Sequence, residues 1–403
     1  MISPTKIPFL DLVTPHQELE TELLAVVKKA FSNAGFIGGP MVEEFEEEFA
    51  AFCGTKYCVG VNSGTDALRF AFMAADVQPG DTIVTVPHTF IATTEAISQA
   101  GAHIAFVDIH EQTYTMDPEK LREYLETHCD FDSKSGKLIE RTSKRRVVGI
   151  VPVHLYGQTA DMDPILELAA KYNLFVIEDS CQAHGAQYFS NRENVWKTAG
   201  SMGKASAFSF YPGKNLGACG EGGAITTNDV AMAARMKMIR DHGQAKKYYH
   251  DIEGYNGRLD SIQAGWLSVK LRHLAKWNES RRSLAHRYHK LFAEVKDTIT
   301  VPAEAAWTKG VYHLYVVRVQ DREGLQAALA EAGIGTGIHY PIPLHLQKAC
   351  ASLNYKQGDF PVTERVASQI VSLPMFPQLK AEQADEVAKR VKEFTSVHVT
   401  APR

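Results

Sequence analysis

The sequence predicts an α/β protein built on a mostly parallel sheet buried on both faces, with a second, smaller α/β unit after it. Three observations carry this. Short apolar, β-branched runs alternate with stretches of helical period over the first two-thirds of the 403-residue chain. The polar residues that stand out follow the carboxyl ends of those runs, where such folds place their ligands. Near Leu259 the texture changes to one long amphipathic helix, then a shorter strand-and-helix pattern.

The strand segments in order are YCVGVN (57–62), DTIVTVP (81–87), AHIAFVD (102–108), VVGIVPVH (147–154), LFVIED (174–179), ASAFSFY (205–211) and GAITT (223–227). Each is short, apolar and rich in β-branched or aromatic residues. Between them lie helical stretches such as TDALRFAFMAA, where Leu68 and Phe72 share a face, and DPILELAAKY. The polar stretch 127–146 carries both charge signs and predicts an exposed hairpin or loop insertion, to which no function is assigned. After residue 260 come the long helix (DSIQAGWLSVKLRHLAKWNESRRSLAHRYHKLFAEV), a strand (HLYVVRV), a helix (GLQAALAEAG) and a closing helix (AEQADEVAKRVKEF). The expected division is therefore a large domain over 1–260 and a small one over 261–403.

Composition narrows the function classes. Hydrophobic residues at 45% and charged residues at 22% are ordinary for a soluble protein. A formal net charge of −4 argues against a dedicated nucleic-acid binder, although a local basic patch can still hold an anionic small molecule. The N-terminus lacks a basic segment followed by an apolar core, and no apolar run reaches the ~18 residues that cross a bilayer. A cytoplasmic location without membrane attachment is expected. Six cysteines are too sparse for a disulfide framework, and Cys53 and Cys58 have no second Cys/His pair to complete a zinc site. No metal is expected.

The residues with chemical promise come in short motifs. SFYPGKNLGACGEGG (209–223) sets Lys214 among turn-forming residues, either as a solvated lysine in a turn or as an amine held to react. VNSGTDAL places Ser63, Gly64 and Thr65 between a strand and a helix: a capping box with Asp66, an anion cup of free amides, or both. LFVIED ends in Glu178 and Asp179, acids that either touch a ligand or pair locally. Phe90, after His88 in VPHTFIATTEAI, either stacks on a flat ligand or is core. Asn256 and Arg258 sit in the glycine-flanked turn GYNGRLDSIQAG, which leads into the long helix. Taken together, an anion cup, an aromatic, an acid and a lysine near the strand ends of one sheet match the needs of pyridoxal 5′-phosphate. A dinucleotide would need G-x-G-x-x-G opening the first helix, and that is missing.

Over nearly its whole length the chain resembles the DegT/DnrJ/EryC1/StrS group of sugar aminotransferases, which have the type I, aspartate-aminotransferase-like fold. The matching stretches run from GFIGGPMVEEFEEEFAAFCG through VGVNSGTDAL, PHTFIATTEAI, VPVHLYGQTADM, IEDSCQAHGA, SFYPGKNLGACGEGGAITTND and GYNGRLDSIQA to GIHYPIPLHLQKA and SLPMFPQL. The resemblance implies Lys214 as the Schiff-base lysine and Asp179 as partner of the pyridine nitrogen. It implies Gln182 at the ring hydroxyl, Phe90 stacked on the ring, and Gly64, Thr65 and Ser209 on the phosphate. Asn256 would reach in from the second subunit of a homodimer. Two departures stand out: Cys181 occupies a position where alanine is common, and the 127–146 insertion is long.

The implied activity is amino transfer from L-glutamate to a ketone of a nucleotide-linked sugar, with the cofactor passing through its pyridoxamine form. The C3 ketone of a dTDP-linked deoxysugar is the first choice, because YPGKNLGACGEGG resembles the 3-keto branch more than the 4-keto branch. The alternatives are a 4-keto aminotransferase, a sugar dehydratase of the same family (whose lineage carries histidine at the lysine position) and a non-catalytic regulatory homologue.

Overall fold

The computed structural model describes residues 6–399. Seven strands make the body of the central sheet: β1 (Tyr57–Val61), β2 (Thr82–Thr85), β3 (His103–Phe106), β4 (Arg146–Ile150), β5 (Phe175–Asp179), β6 (Ala205–Ser209) and β7 (Gly223–Thr227). Their order across the sheet is β1-β7-β6-β5-β4-β2-β3. The run from β6 to β3 pairs parallel throughout, and β7 is antiparallel to both its neighbours. Every residue of β2 and β7 is buried. That two-sided burial explains why these segments read as unbroken apolar runs, without alternation.

Each strand overlaps its predicted segment, with ends trimmed for visible reasons. The 147–154 segment stops pairing as a strand at Ile150, two residues before Pro152, which has no amide hydrogen to give. The backbone beyond still serves the site. Asp179 N donates to Pro152 O and His154 N to Asp179 O, both at 3.0 Å, which fixes the end of β5. The 127–146 stretch is a hairpin of Cys129–Asp132 and Lys137–Glu140. It is less exposed than expected. Leu138 is buried and pairs with Val147, so the hairpin docks along the edge of β4.

Helix α1 (Gly64–Ala74) follows β1, and its Leu68 and Phe72 both face the core. Helix α2 (Ser261–Phe292) runs for 32 residues, roughly 48 Å at the standard rise. Its length lets it serve two cores. Leu267 and Leu274 pack with Phe45 and Phe49 beside the central sheet. Leu284, Tyr288 and Phe292 pack into the C-terminal unit. That unit is built on the antiparallel pair β8 (Tyr315–Arg318) and β9 (Ile370–Leu373), with α3 (Arg322–Glu331) and α4 (Ala381–Val399). The N-terminal segment joins it: Ile7 is buried in the same core and bridges Ile334. Among the described residues no helix is long and apolar enough to cross a membrane.

Candidate active site

The carboxyl ends of β1, β5 and β6 open on a cavity of about 650 Å³, and Gly64, Thr65, Phe90, Asp179, Gln182, Ser209 and Lys214 all line it. Seven of the eight residues expected at the site thus share one wall system, although they come from four separate motifs along the chain.

The start of α1 shows why the motif V-N-S-G-T is built as it is. Ser63 caps the helix, its Oγ accepting from Asp66 N at 3.1 Å, and so aims the first turn at the cavity. A Cβ on Gly64 would lie 2.6 Å from Ser209 Cβ and 3.0 Å from Cys181 Sγ. Only glycine lets β6 and the loop after β5 close in on the helix end. First-turn amides have no intrahelical acceptor. With the Ser209 hydroxyl beside them they form a cup of donors for an anion. The Ser63 cap that starts the helix and the free amides that could receive an anion thus belong to the same turn.

Strand β5 separates the two acids by its pleat, since successive side chains point to opposite faces. Glu178 is fully buried and spent on structure. It accepts from His154 Nε2 and Gly200 N, both at 2.9 Å, and from Met202 N at 2.9 Å and Gly203 N at 2.8 Å. Burial alone would raise its pKa, but these donors outweigh it and hold the carboxyl below its usual range. Asp179 faces the cavity. Its Oδ2 accepts from Thr93 Oγ1 at 2.8 Å and its Oδ1 from Cys181 N at 3.2 Å. Cys181, the departure beside the site, lines the cavity too.

Lys214 sits in a loop that folds back on itself. Lys214 N donates to Tyr211 O at 2.9 Å and Ala218 N to Phe210 O at 2.7 Å. A Cβ at Gly217 would lie 2.3 Å from Pro212 O, so this loop needs glycine for close approach. Burial pushes the Lys214 ammonium below its ordinary pKa, partly opposed by the Asp179 carboxylate. A lysine in that state is uncharged more often than one in water, as a nucleophilic amine must be.

The far wall comes from the C-terminal unit. Phe90 is 51% exposed although it stands in the cavity, and its ring centroid is 5.6 Å from that of Tyr340. Gln182 is oriented from both ends: Oε1 accepts from Tyr156 N at 2.8 Å, and Nε2 donates to Tyr340 OH at 3.1 Å. Tyr156 OH in turn donates to the carbonyl of His339. Thr93, His313, His339 and Tyr340 are the residues that sequence reasoning left without a role. Thr93 lies inside a quoted motif, but nothing in its spacing marks it as the partner of an acid 86 residues away. The other three lie past residue 300, and only the fold brings them to the sheet.

Asn256 is the exception. It is exposed and outside the cavity lining, and its Oδ1 accepts from Arg258 Nη2 at 2.7 Å.

Residues 17–392 match the model of the DegT/DnrJ/EryC1/StrS aminotransferase family. The chain is 42% identical over 389 residues to the pleiotropic regulatory protein of Geobacillus stearothermophilus, covering 96% of this chain and 98% of that one. It is also 42% identical over 389 residues to the dTDP-3-amino-3,6-dideoxy-alpha-D-galactopyranose transaminase of Aneurinibacillus thermoaerophilus, covering 96% and 99%. Its fold superposes with a TM-score of 0.89 on S. venezuelae DesV, a crystal structure in complex with a ketimine intermediate, at 39% identity and covering 98% and 99% of the two chains.

Proposed function

The chain belongs to the DegT/DnrJ/EryC1/StrS aminotransferase family and is a sugar aminotransferase dependent on pyridoxal phosphate, and from that premise we propose a specific reaction. It moves the amino group of L-glutamate to the C3 ketone of a dTDP-linked deoxysugar, working as a homodimer with shared sites. The observation that carries this reading is one cavity holding Lys214, Asp179, an exposed Phe90 face and the donor cup at α1.

That donor set fits the cofactor. When bound, pyridoxal phosphate supplies an aldehyde that takes up the amino group and a ring that accepts electrons. The rest falls to the protein's own backbone and side-chain groups. Gly64, Thr65 and Ser209 would hold the phosphate, Phe90 would cover a ring face, and Gln182 Nε2, which spends one hydrogen on Tyr340 OH, has a second for the ring hydroxyl. Asp179 keeps the proton on the pyridine nitrogen, steadied by Thr93 and by Cys181 N. Lys214 would hold the cofactor at rest, and its amine would be the group that moves a proton at the donor's α-carbon. The cavity is within the usual size for a ligand of this class.

Two features support C3 over C4: the YPGKNLGACGEGG loop and the name of the Aneurinibacillus relative. Lysine at 214 argues against a dehydratase. The name of the Geobacillus relative keeps a regulatory binding protein as the second reading. Addition of L-glutamate to the cofactor-loaded protein separates the two. The aminotransferase bleaches its long-wavelength absorbance and releases one 2-oxoglutarate per site, and Lys214→Ala does neither. A binding protein leaves glutamate unchanged.

A further inference from the structure

Behind Lys214 lies a chain of buried side chains in which each hydrogen has one possible direction. Asn278, on α2 and 7% exposed, donates from Nδ2 to the carbonyl of His184 at 2.8 Å. Its Oδ1 therefore accepts from Asn215 Nδ2 at 2.9 Å. Asn215 Nδ2 also donates to the carbonyl of Val311 at 3.1 Å, which fixes that amide as well. Its Oδ1 is left facing His313 Nδ1 at 3.1 Å. An amide oxygen has no hydrogen to give, so Nδ1 carries the proton.

A neutral imidazole has one N–H, and here it is spent on Asn215. The other nitrogen, Nε2, is a bare acceptor on a ring that lines the cavity. Burial holds His313 well below the ordinary histidine pKa, and the charges of Lys214 and Arg281 add to the effect. Arg281 stays close because its Nη1 donates to the carbonyls of Tyr312, His313 and Met375. An apolar wall would have spared the chain two buried amides, whose value lies in fixing one arrangement. Together the two amides tie three loops: Asn278 joins the one after Asp179 to the one after Lys214, and Asn215 joins the latter to the one before β8.

We propose that Asn215 and Asn278 are positioning residues that hold His313 with a bare Nε2 toward the cavity, and that this nitrogen accepts a hydrogen bond from a sugar hydroxyl beside the ketone. The second half rests on the sugar-aminotransferase reading above. The choice of donor follows from chemistry. The carboxylates of glutamate and the phosphates of a nucleotide need hydrogen-bond donors, which a bare acceptor cannot supply. An ammonium would meet the Lys214 charge in the same cavity. A neutral hydroxyl matches.

The test starts from the intact holoenzyme labelled with 15N-histidine, with the His313 signals assigned by their absence in His313→Gln. The expected result is a neutral ring protonated at Nδ1 from pH 6 to 8. An Nε2–H tautomer or an imidazolium in that range overturns the positioning roles without recourse to any variant. In Asn278→Leu the tautomers should mix and KM for the ketosugar should rise roughly three- to tenfold, the size of one lost hydrogen bond. The glutamate half-reaction should keep its rate; an equal loss in both half-reactions overturns the proposal. A ketosugar analogue lacking the neighbouring hydroxyl provides a check that does not depend on Asn278→Leu folding. Wild type should prefer the hydroxylated sugar and His313→Gln should not; equal preference in both proteins overturns the contact. Should wild type aminate no ketosugar, the hydroxyl contact falls with the function reading, and the tautomer measurement still decides the positioning roles.

Discussion

Thr93 Oγ1 donates a 2.8 Å hydrogen bond to Asp179 Oδ2, and this holds the acid at the end of β5 toward the cavity. Because Thr93 gives its hydrogen to a carboxylate, it must accept from Thr89 Oγ1, 2.9 Å away. The pair predicts graded losses. Asp179→Asn removes the charge and should cut amino transfer by about two orders of magnitude or more, with the cofactor still bound through its phosphate. Thr93→Val keeps the charge and loses one charge-assisted bond, so a loss of roughly tenfold is expected. Turnover of both variants with glutamate checks this, and near wild-type turnover in Asp179→Asn contradicts the role.

Lys204 stands ten residues before Lys214 in the chain, yet only Lys214 lines the cavity, while Lys204 is exposed. Borohydride reduction of the loaded protein followed by peptide mapping should find the cofactor on Lys214. Lys214→Ala should lose on the order of 10²–10⁴ in rate through proton transfer alone. Cofactor found on Lys204 would contradict the assignment.

Much of this site was legible in the sequence because its residues lie just past strands that read clearly. Lys214, Asp179, Gly64 and Phe90 all follow apolar runs long enough to register as strands. Glu178 and Asp179 were equivalent as letters. The pleat of β5 decided between them, and a period of two cannot be phased without knowing which face opens on the cavity. Thr93, Tyr340 and the Asn278–Asn215–His313 chain were invisible because their partners are remote in sequence. The hairpin at 127–146 looked fully exposed because its charges hide Leu138 and Ile139, which pair it with β4.

Asn256 stands outside the cavity of its own chain, exposed and hydrogen-bonded to Arg258. In the proposed dimer with shared sites it would serve the neighbour's cofactor. Lys214→Ala chains mixed with an inactivating Asn256 variant, unfolded and reassembled, should then regain activity, since one site of each heterodimer carries neither defect. Heterodimers that stay inactive would show that Asn256 acts within its own chain or not at all.

Two of the buried imidazoles, His88 and His184, should make stability fall toward acid pH. Burial lowers His88 to about 4, against the Asp108 charge, and burial together with the Lys214 charge lowers His184 to about 3. In the unfolded chain both titrate near 6.5. Between those values the unfolded state binds more protons, so stability rises with pH. The contribution is complete above about pH 6.5 and is lost as pH falls toward 4, at about 1.4 kcal/mol per pH unit for each ring. Urea midpoints should drop steeply from pH 7 to pH 5, and His88→Asn should flatten the slope. A midpoint that stays level across that range contradicts neutral buried rings.

The central claim is that this cavity aminates the ketone of a nucleotide-linked sugar. The most direct measurement loads the protein with cofactor, converts it with L-glutamate, removes the excess, and offers a panel of nucleotide-ketosugars. Mass spectrometry and NMR then identify the product. The account predicts one amino group gained per site by a dTDP-linked 3-keto deoxysugar, with nitrogen at C3 and no product from Lys214→Ala. If the glutamate-converted protein aminates none of the ketosugars, or if Lys214→Ala aminates them equally well, the account is contradicted.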